Sequence, residues 1–277
     1  AGDFEVAQML QHQGVDYLAV AFADEGVLLR ERGITMPVVV LNADADSFDQ
    51  MIANRLEPEI YSFRSLADFA DAVSHAGETR YPVHIKLDTG MHRLGFMEGE
   101  IGRLCEVLPT LPAVKVASVF SHLNCADMPE EDAYTREQIA RYDRMSAAVA
   151  ASLPYSVIRH TANSAAIERF PEARFDMCRL GLGLYGFGWE HNAGLRPVSA
   201  LKTRIVQIKR LEAGDAVGYG CAGKLLRPTV TATVPIGYAD GLDRHLGCGR
   251  WSMRVAGRPA PIVGRVCMDS CMIDITD

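Results

Sequence analysis

The chain has 277 residues, with 28 Lys and Arg against 35 Asp and Glu, a formal charge of −7, 48% hydrophobic and 23% charged residues. That length fits one large barrel or two domains, and the acidic balance argues against a broad nucleic-acid or anionic-membrane surface. No apolar run approaches the roughly 20 residues of a spanning helix, so neither nucleic acid nor membrane is expected as a partner.

Phe4, Val6, Ala7, Met9 and Leu10 give the chain an opening helix with no strand before it. Short apolar, β-branched runs then alternate with helical patterns: Val15 to Phe22, Met36 to Leu41, Pro58 to Ser62, Pro82 to Leu87, Val114 to Ser121 and Tyr155 to His160, with Asp176 to Arg179 as a weaker seventh. Alternation of this kind predicts a parallel sheet with helices outside it. Seven strands after an unpaired first helix predict a (β/α)8 TIM-type barrel lacking its first strand; an open flavodoxin-like sheet is the alternative. From about Asn192 the texture turns to Thr, Val and Gly in Lys202 to Leu211, Thr229 to Pro235 and Arg254 to Met268, and Cys271 to Thr276 still reads as a strand. The expected division is a barrel domain over 1–192 and a mostly β domain over 193–277, each incomplete at its outer end.

Seven cysteines, none in a Cys-x-x-Cys pair, suggest a reducing cytoplasm. Cys267 and Cys271 alone do not make a metal site, and buried thiols are the simpler reading, so no metal is expected. In a β/α barrel the working residues follow the strands. Lys86, Asp88 and Thr89 followed by Gly90 to Gly95, then Ser121-His122, then His160 with Asn163-Ser164, occupy those places. Each has a plain structural role open to it, and together they favour a site. Ser164 and Arg179 with Gly181-Leu182-Gly183 have the small-residue character of a phosphate cradle built from backbone N–H groups; Arg179 could grip the phosphate or something beside it.

In chain order, Ile85 to Gly95, His160 to Ala166, Arg179 through Gly186, Gly218-Tyr219-Gly220, Pro235 to Gly241 and Gly264 to Asp269 resemble the successive signatures of alanine racemase over nearly the whole chain. Leu56 to Phe63 more particularly resembles the racemase half of bacterial proteins fused to a muramoyl-tripeptide D-alanyl-D-alanine ligase. The resemblance implies a cytoplasmic pyridoxal 5′-phosphate enzyme that interconverts L- and D-alanine for peptidoglycan, paired head to tail as a homodimer. Ser164 with the backbone of Gly181 and Leu182 would hold the cofactor phosphate. Arg179 would face the pyridine nitrogen, His122 would lie beside the ring, and Arg93 would touch its phenolic oxygen. Tyr219 would be one of two bases, networked with His160 and Arg179, while Met268 and Asp269 from the partner would line the substrate carboxylate with Arg93. Lys86 matches a position that orients Arg93 and is carbamylated in some members. The family's other base, a cofactor-binding lysine in a Lys-x-x-x-Tyr-Gly pattern, has no counterpart among the five lysines at 86, 115, 202, 209 and 224, so this chain is expected to be truncated and poorly active. A broad-specificity amino-acid racemase and a non-catalytic cofactor-binding barrel are the alternatives; such carriers lack the β domain.

Overall fold

The structure is a computed structural model that describes residues 2–189 and 194–277. Contacts between Cα atoms divide the chain into two compact units, 1–199 and 200–277. The boundary expected near Asn192 lies outside the described residues.

The first unit opens on helix α1 (Asp3–His12), which leads into strand β1 (Leu18–Val20) and helix α2 (Ala23–Glu31). Strand β2 (Val38–Val40) is three valines, each buried, as a strand covered on both faces requires. After α3 (Phe48–Ala53) come β3 (Glu57–Ile60) and α4 (Phe63–His75), which shows how the sequence builds one repeat. Ser62 caps α4, its hydroxyl accepting from the Ser65 amide at 3.1 Å, and Leu66, Phe69, Ala70 and Val73 put a buried stripe on one side of the helix. Strand β4 (Tyr81–Lys86), α5 (Ile101–Val107), β5 (Val114–Phe120), α6 (Asp132–Ala151), β6 (Ile158–His160) and α7 (Ser164–Arg169) complete the series. The six strands pair in sequence order, all parallel, into a curled half-barrel of TIM type. Its apolar core runs from Leu18 through Val38, Phe69 and Ile85 to Tyr142.

The seventh strand expected over Asp176 to Arg179 is not formed. Among the described residues its backbone amides bond on one side, through Asp176 N to Arg159 O at 2.9 Å and Arg179 N to Ala162 O at 3.0 Å. The Asp176 carboxylate accepts the Arg159 amide at 2.8 Å, where a regular ladder would offer a backbone carbonyl.

The second unit is built on an antiparallel sheet of β7 (Gln207–Leu211), β10 (Thr229–Val234), β11 (Ser252–Val255), β12 (Arg258–Val263) and β13 (Cys271–Asp274), in the order β11-β12-β13-β10-β7. A short hairpin of β8 (Ala216–Val217) and β9 (Gly223–Lys224) carries the turn Gly218-Tyr219-Gly220. Alternating inward residues such as Ala232, Val234, Ile262 and Ile273 form its own core.

Candidate active site

The first unit gathers its polar residues where β4, β5 and β6 end. After β4 the chain makes a pinched loop, closed at its base by Asp88 N to Phe96 O and Phe96 N to Lys86 O, both 2.9 Å. The Asp88 carboxylate ties the loop from within, accepting the amides of Gly90 and His92 at 3.0 Å each. Burial alone would raise that carboxyl, and these amides outweigh it, leaving Asp88 below the usual carboxylate range. Gly95 (φ 125°) closes the pinch because a Cβ there would stand 2.7 Å from Asp88 N and Leu87 C. The loop presents Arg93 at the surface, where it makes no hydrogen bond among the described residues.

Arg179 is the centre of the arrangement. Its guanidinium donates to three carbonyls, Ser121 O at 2.6 Å, Thr161 O at 3.1 Å and His160 O at 3.3 Å. Nη1 also meets His160 Nδ1 at 2.9 Å and Nη2 meets His122 Nδ1 at 3.3 Å. No carboxylate among the described residues touches it, and burial lowers its pKa to about 10, which still leaves it charged at neutral pH. That charge, added to burial, pushes His122 down to about 4 and His160 well below the ordinary histidine value. Both imidazoles are therefore neutral acceptors toward Arg179 near pH 7.

Beside them, Lys86 Nζ lies 3.2 Å from Glu59 Oε1 and 4.4 Å from the centre of the Phe120 ring. Both members of this pair are buried, and Glu59 Oε1 has no well-directed hydrogen bond despite the short approach. Burial raises the Glu59 carboxyl and lowers the Lys86 ammonium, each against the pull of the other.

Ser164, at the start of α7, accepts the amides of Gly181 at 3.0 Å and Gly183 at 3.2 Å. Two backbone donors thus converge on one hydroxyl. A cavity of ≈ 520 Å³ runs from α1 and β1 to His160, Arg179, Gly181 and Tyr185. The structure therefore brings together His122, His160, Arg179, Ser164 and Gly181, with Lys86 beside them.

Tyr219, Met268 and Asp269 belong to the second unit. Tyr219 sits exposed in the hairpin turn after Gly218 (φ 78°), and a Cβ on Gly220 would lie 3.6 Å from the Arg265 guanidinium. Met268 and Asp269 are exposed on a loop pinned by Tyr238 N to Cys267 O and Ala239 N to Met268 O, at 3.0 and 2.8 Å. Gly237 permits that approach, since a Cβ there would meet both carbonyl oxygens at 2.4 Å. All seven cysteines are unpaired, and no cluster of metal-ligating side chains occurs among the described residues.

Residues 1–188 match the family model for the alanine racemase N-terminal domain, and residues 198–277 match that for its C-terminal domain. The chain belongs to the alanine racemase family. It is 36% identical to the alanine racemase of Clostridium kluyveri, covering all of this chain and 72% of that one, and 37% identical to that of Symbiobacterium thermophilum, at 100% and 74%. Among solved structures, the alanine racemase of Clostridium difficile superimposes with a TM-score of 0.88 at 34% identity, covering 100% of this chain and 73% of the other. That of Streptomyces lavendulae gives 0.91 at 29%, with 100% and 74% covered. The alanine racemase of Bartonella henselae, described with covalently bound pyridoxal phosphate, gives 0.84 at 27%, with 100% and 76% covered. The half-barrel and the β unit are thus the two domains of a racemase fold. No described helix is long and apolar enough to cross a membrane.

Proposed function

We propose that the chain binds pyridoxal 5′-phosphate and serves the interconversion of L- and D-alanine, with the roles of its residues as the family resemblance assigns them. The observation that carries this reading is the setting of Arg179 beside His160, with Ser164 and two inward amides close by. The residues fit the cofactor: the Ser164 hydroxyl, whose lone pairs take the amides of Gly181 and Gly183, keeps its own proton for a phosphate, the Leu182 amide makes no hydrogen bond among the described residues, and a Cβ on Gly181 would find its nearest atom, Ser164 Oγ, only at 3.9 Å, so the cradle has room. Bound there, the cofactor supplies an electron-withdrawing ring that acidifies the Cα proton of an amino acid.

Arg179, charged and without an acid of its own, would keep the pyridine nitrogen unprotonated and limit side reactions of the carbanion. His122 is neutral and can lie beside the ring without adding charge. Tyr219 would take and return the proton on one face, and Arg93, Met268 and Asp269 would receive the substrate carboxylate, the last two from a head-to-tail partner. Unpaired cysteines support a cytoplasmic setting. The segment Leu56 to Phe63 supports placement nearest the ligase-fused racemases, with D-alanine for peptidoglycan as the product.

Racemisation needs a base on each face, and of the pair implied by the resemblance these 277 residues supply Tyr219 only. With the cofactor added, deuterium from solvent should therefore enter Cα of one alanine enantiomer, and Tyr219→Phe should slow that exchange by about 10²–10⁴-fold. Equal exchange into both enantiomers, indifferent to Tyr219→Phe, would refute the assignment, as would no exchange at all.

A further inference from the structure

Five side chains form an unbroken file inside the parallel sheet. Arg179 Nη1 lies 2.9 Å from His160 Nδ1, and His160 Nε2 lies 3.0 Å from Ser118 Oγ. Ser118 Oγ lies 2.6 Å from His84 Nδ1, and His84 Nε2 lies 2.8 Å from Glu57 Oε2. Ser118 is 0% exposed, His84 1% and His160 5%, so water does not compete for these bonds. Strand register brings them together: His84 of β4 pairs with Ser118 of β5, and Phe120, two residues on, pairs with His160 of β6.

The two ends of the file determine where every proton sits. A guanidinium only donates, so His160 Nδ1 accepts, and the proton of that neutral ring is on Nε2. His160 Nε2–H then donates to Ser118 Oγ. The buried Ser118 hydroxyl proton then has one acceptor in reach among the described residues, His84 Nδ1, and donates there, which leaves the His84 proton on Nε2, facing the Glu57 carboxylate. The reverse order would require His160 to lack protons on both nitrogens while facing a cation, which its chemistry forbids.

We infer that Ser118, His84 and Glu57 are positioning residues for Arg179, acting through His160. They hold the His160 ring in one tautomer and one orientation, with its Nδ1 lone pair directed at the guanidinium on the cavity wall. Among the described residues Arg179 has carbonyl partners but no acid, and His160 Nδ1 at 2.9 Å is the shorter of its two side-chain contacts, the other being His122 at 3.3 Å, so the His160 ring is the main side-chain guide to which of the carbonyl-bonded orientations the guanidinium takes. The consequence for catalysis rests on the racemase reading above, whereas the proton pattern does not.

Long-range ¹H–¹⁵N correlation spectra of the full chain test the pattern directly. Both His84 and His160 should be neutral Nε2–H tautomers at pH 7; an imidazolium or an Nδ1–H tautomer at either position overturns the inference. Ser118→Ala should shift the Arg179 side-chain resonances and release His84 from its single tautomer, whereas Ser118→Thr, which keeps the hydroxyl, should preserve both. Unchanged Arg179 and His84 signals in Ser118→Ala overturn the coupling. Should Ser118→Ala fail to fold, the native and Ser118→Thr spectra still decide. In the exchange assay, Ser118→Ala should lose about tenfold, the scale of one misdirected hydrogen bond to a charged group, and Ser118→Thr should recover most of it. Full exchange by Ser118→Ala overturns the positioning role; absence of exchange in the native protein, with the proton pattern intact, refutes the racemase reading instead.

Discussion

Replacing Glu59 with leucine leaves Lys86 as a buried ammonium without its acid, and the resulting loss of stability is bounded by proton release. In the native protein the two charged atoms are 3.2 Å apart, on side chains 9% and 2% exposed. At an effective dielectric of roughly 20 that separation corresponds to about 5 kcal/mol of attraction. Burial opposes it, since each ion loses several kcal/mol of hydration and both groups are shifted toward neutrality. With Glu59 gone, Lys86 either stays charged or gives up its proton, whichever costs less. Discharging a lysine of unfolded pKa about 10.4 costs about 1.36 kcal/mol per pH unit, which sets a ceiling of about 4.6 kcal/mol at pH 7 and about 1.9 kcal/mol at pH 9. Removing one partner of a buried pair typically costs about 3–5 kcal/mol, so the ceiling should govern above neutrality. The folded pKa of Lys86 is depressed, so between it and about 10.4 the unfolded state binds more protons, and the stability of the variant rises with pH. Urea unfolding followed by Trp189 fluorescence in a Trp251→Phe background reports on the first unit, because the chain has two tryptophans and Trp189 lies within 1–199. The double variant Glu59→Leu/Lys86→Met should come within about 1 kcal/mol of the native protein or exceed it. A loss under about 1 kcal/mol at pH 7, or one that does not shrink by pH 9, would refute the reasoning.

Gly95→Ala should cost at least about 3 kcal/mol, from a left-handed backbone and overlap with Asp88 N, seen as a lowered thermal midpoint; an unchanged midpoint contradicts the loop geometry. Asp88→Asn should cost about 1–2 kcal/mol at pH 7. Because the Asp88 pKa is lowered on folding, that contribution is present above about 3.9 and lost as pH falls through the folded value, so the two denaturation curves should converge in acid. The imidazole protons of His122 should titrate near pH 4 by NMR, and a midpoint at the ordinary histidine value would show that Arg179 does not face it. Its depressed pKa means that protonation favours the unfolded state, so this stability is present above about 6.5 and lost as pH falls toward 4.

Much of the fold was legible because β-branched runs and amphipathic stretches alternate with so little interruption; valines 38, 39 and 40 admit one reading. The residues placed just after β4, β5 and β6 were legible for the same reason, since a strand end fixes where the next side chains go. Asp176 to Arg179 was misread as a strand because apolar spacing cannot show that a carboxylate has taken the place of a ladder carbonyl. Glu57, Glu59, His84 and Ser118 were missed as site residues, although a signal existed. Glu57 and Glu59, His84 and Lys86, and Ser118 and Phe120 are each two apart, so each pair shares one face of its strand. Polar residues at period two inside buried strands, as in Glu57 and Glu59 and in His84 and Lys86, mark a polar interior, and attention to strand ends alone passes over them. Gly183 was within the recognised Gly-x-Gly, and only the folded loop could show that its amide turns toward Ser164.

The directed file from Arg179 to Glu57 also constrains how such a sequence can change over generations. Each of the three inner members, His160, Ser118 and His84, accepts on one side and donates on the other, so replacing any one of them alone leaves two neighbours with a donor or acceptor unmet, at about 1–3 kcal/mol each. Replacing adjacent members together with apolar residues of matching volume leaves fewer such groups, and shortening the file from the Glu57 end leaves only one. Substitutions at Ser118, His84 and Glu57 are therefore strongly non-additive, and the passable routes remove residues in order from the carboxylate inward. A lineage that keeps the arginine can shed the far end of its support step by step, whereas one that first loses the serine strands a histidine on either side.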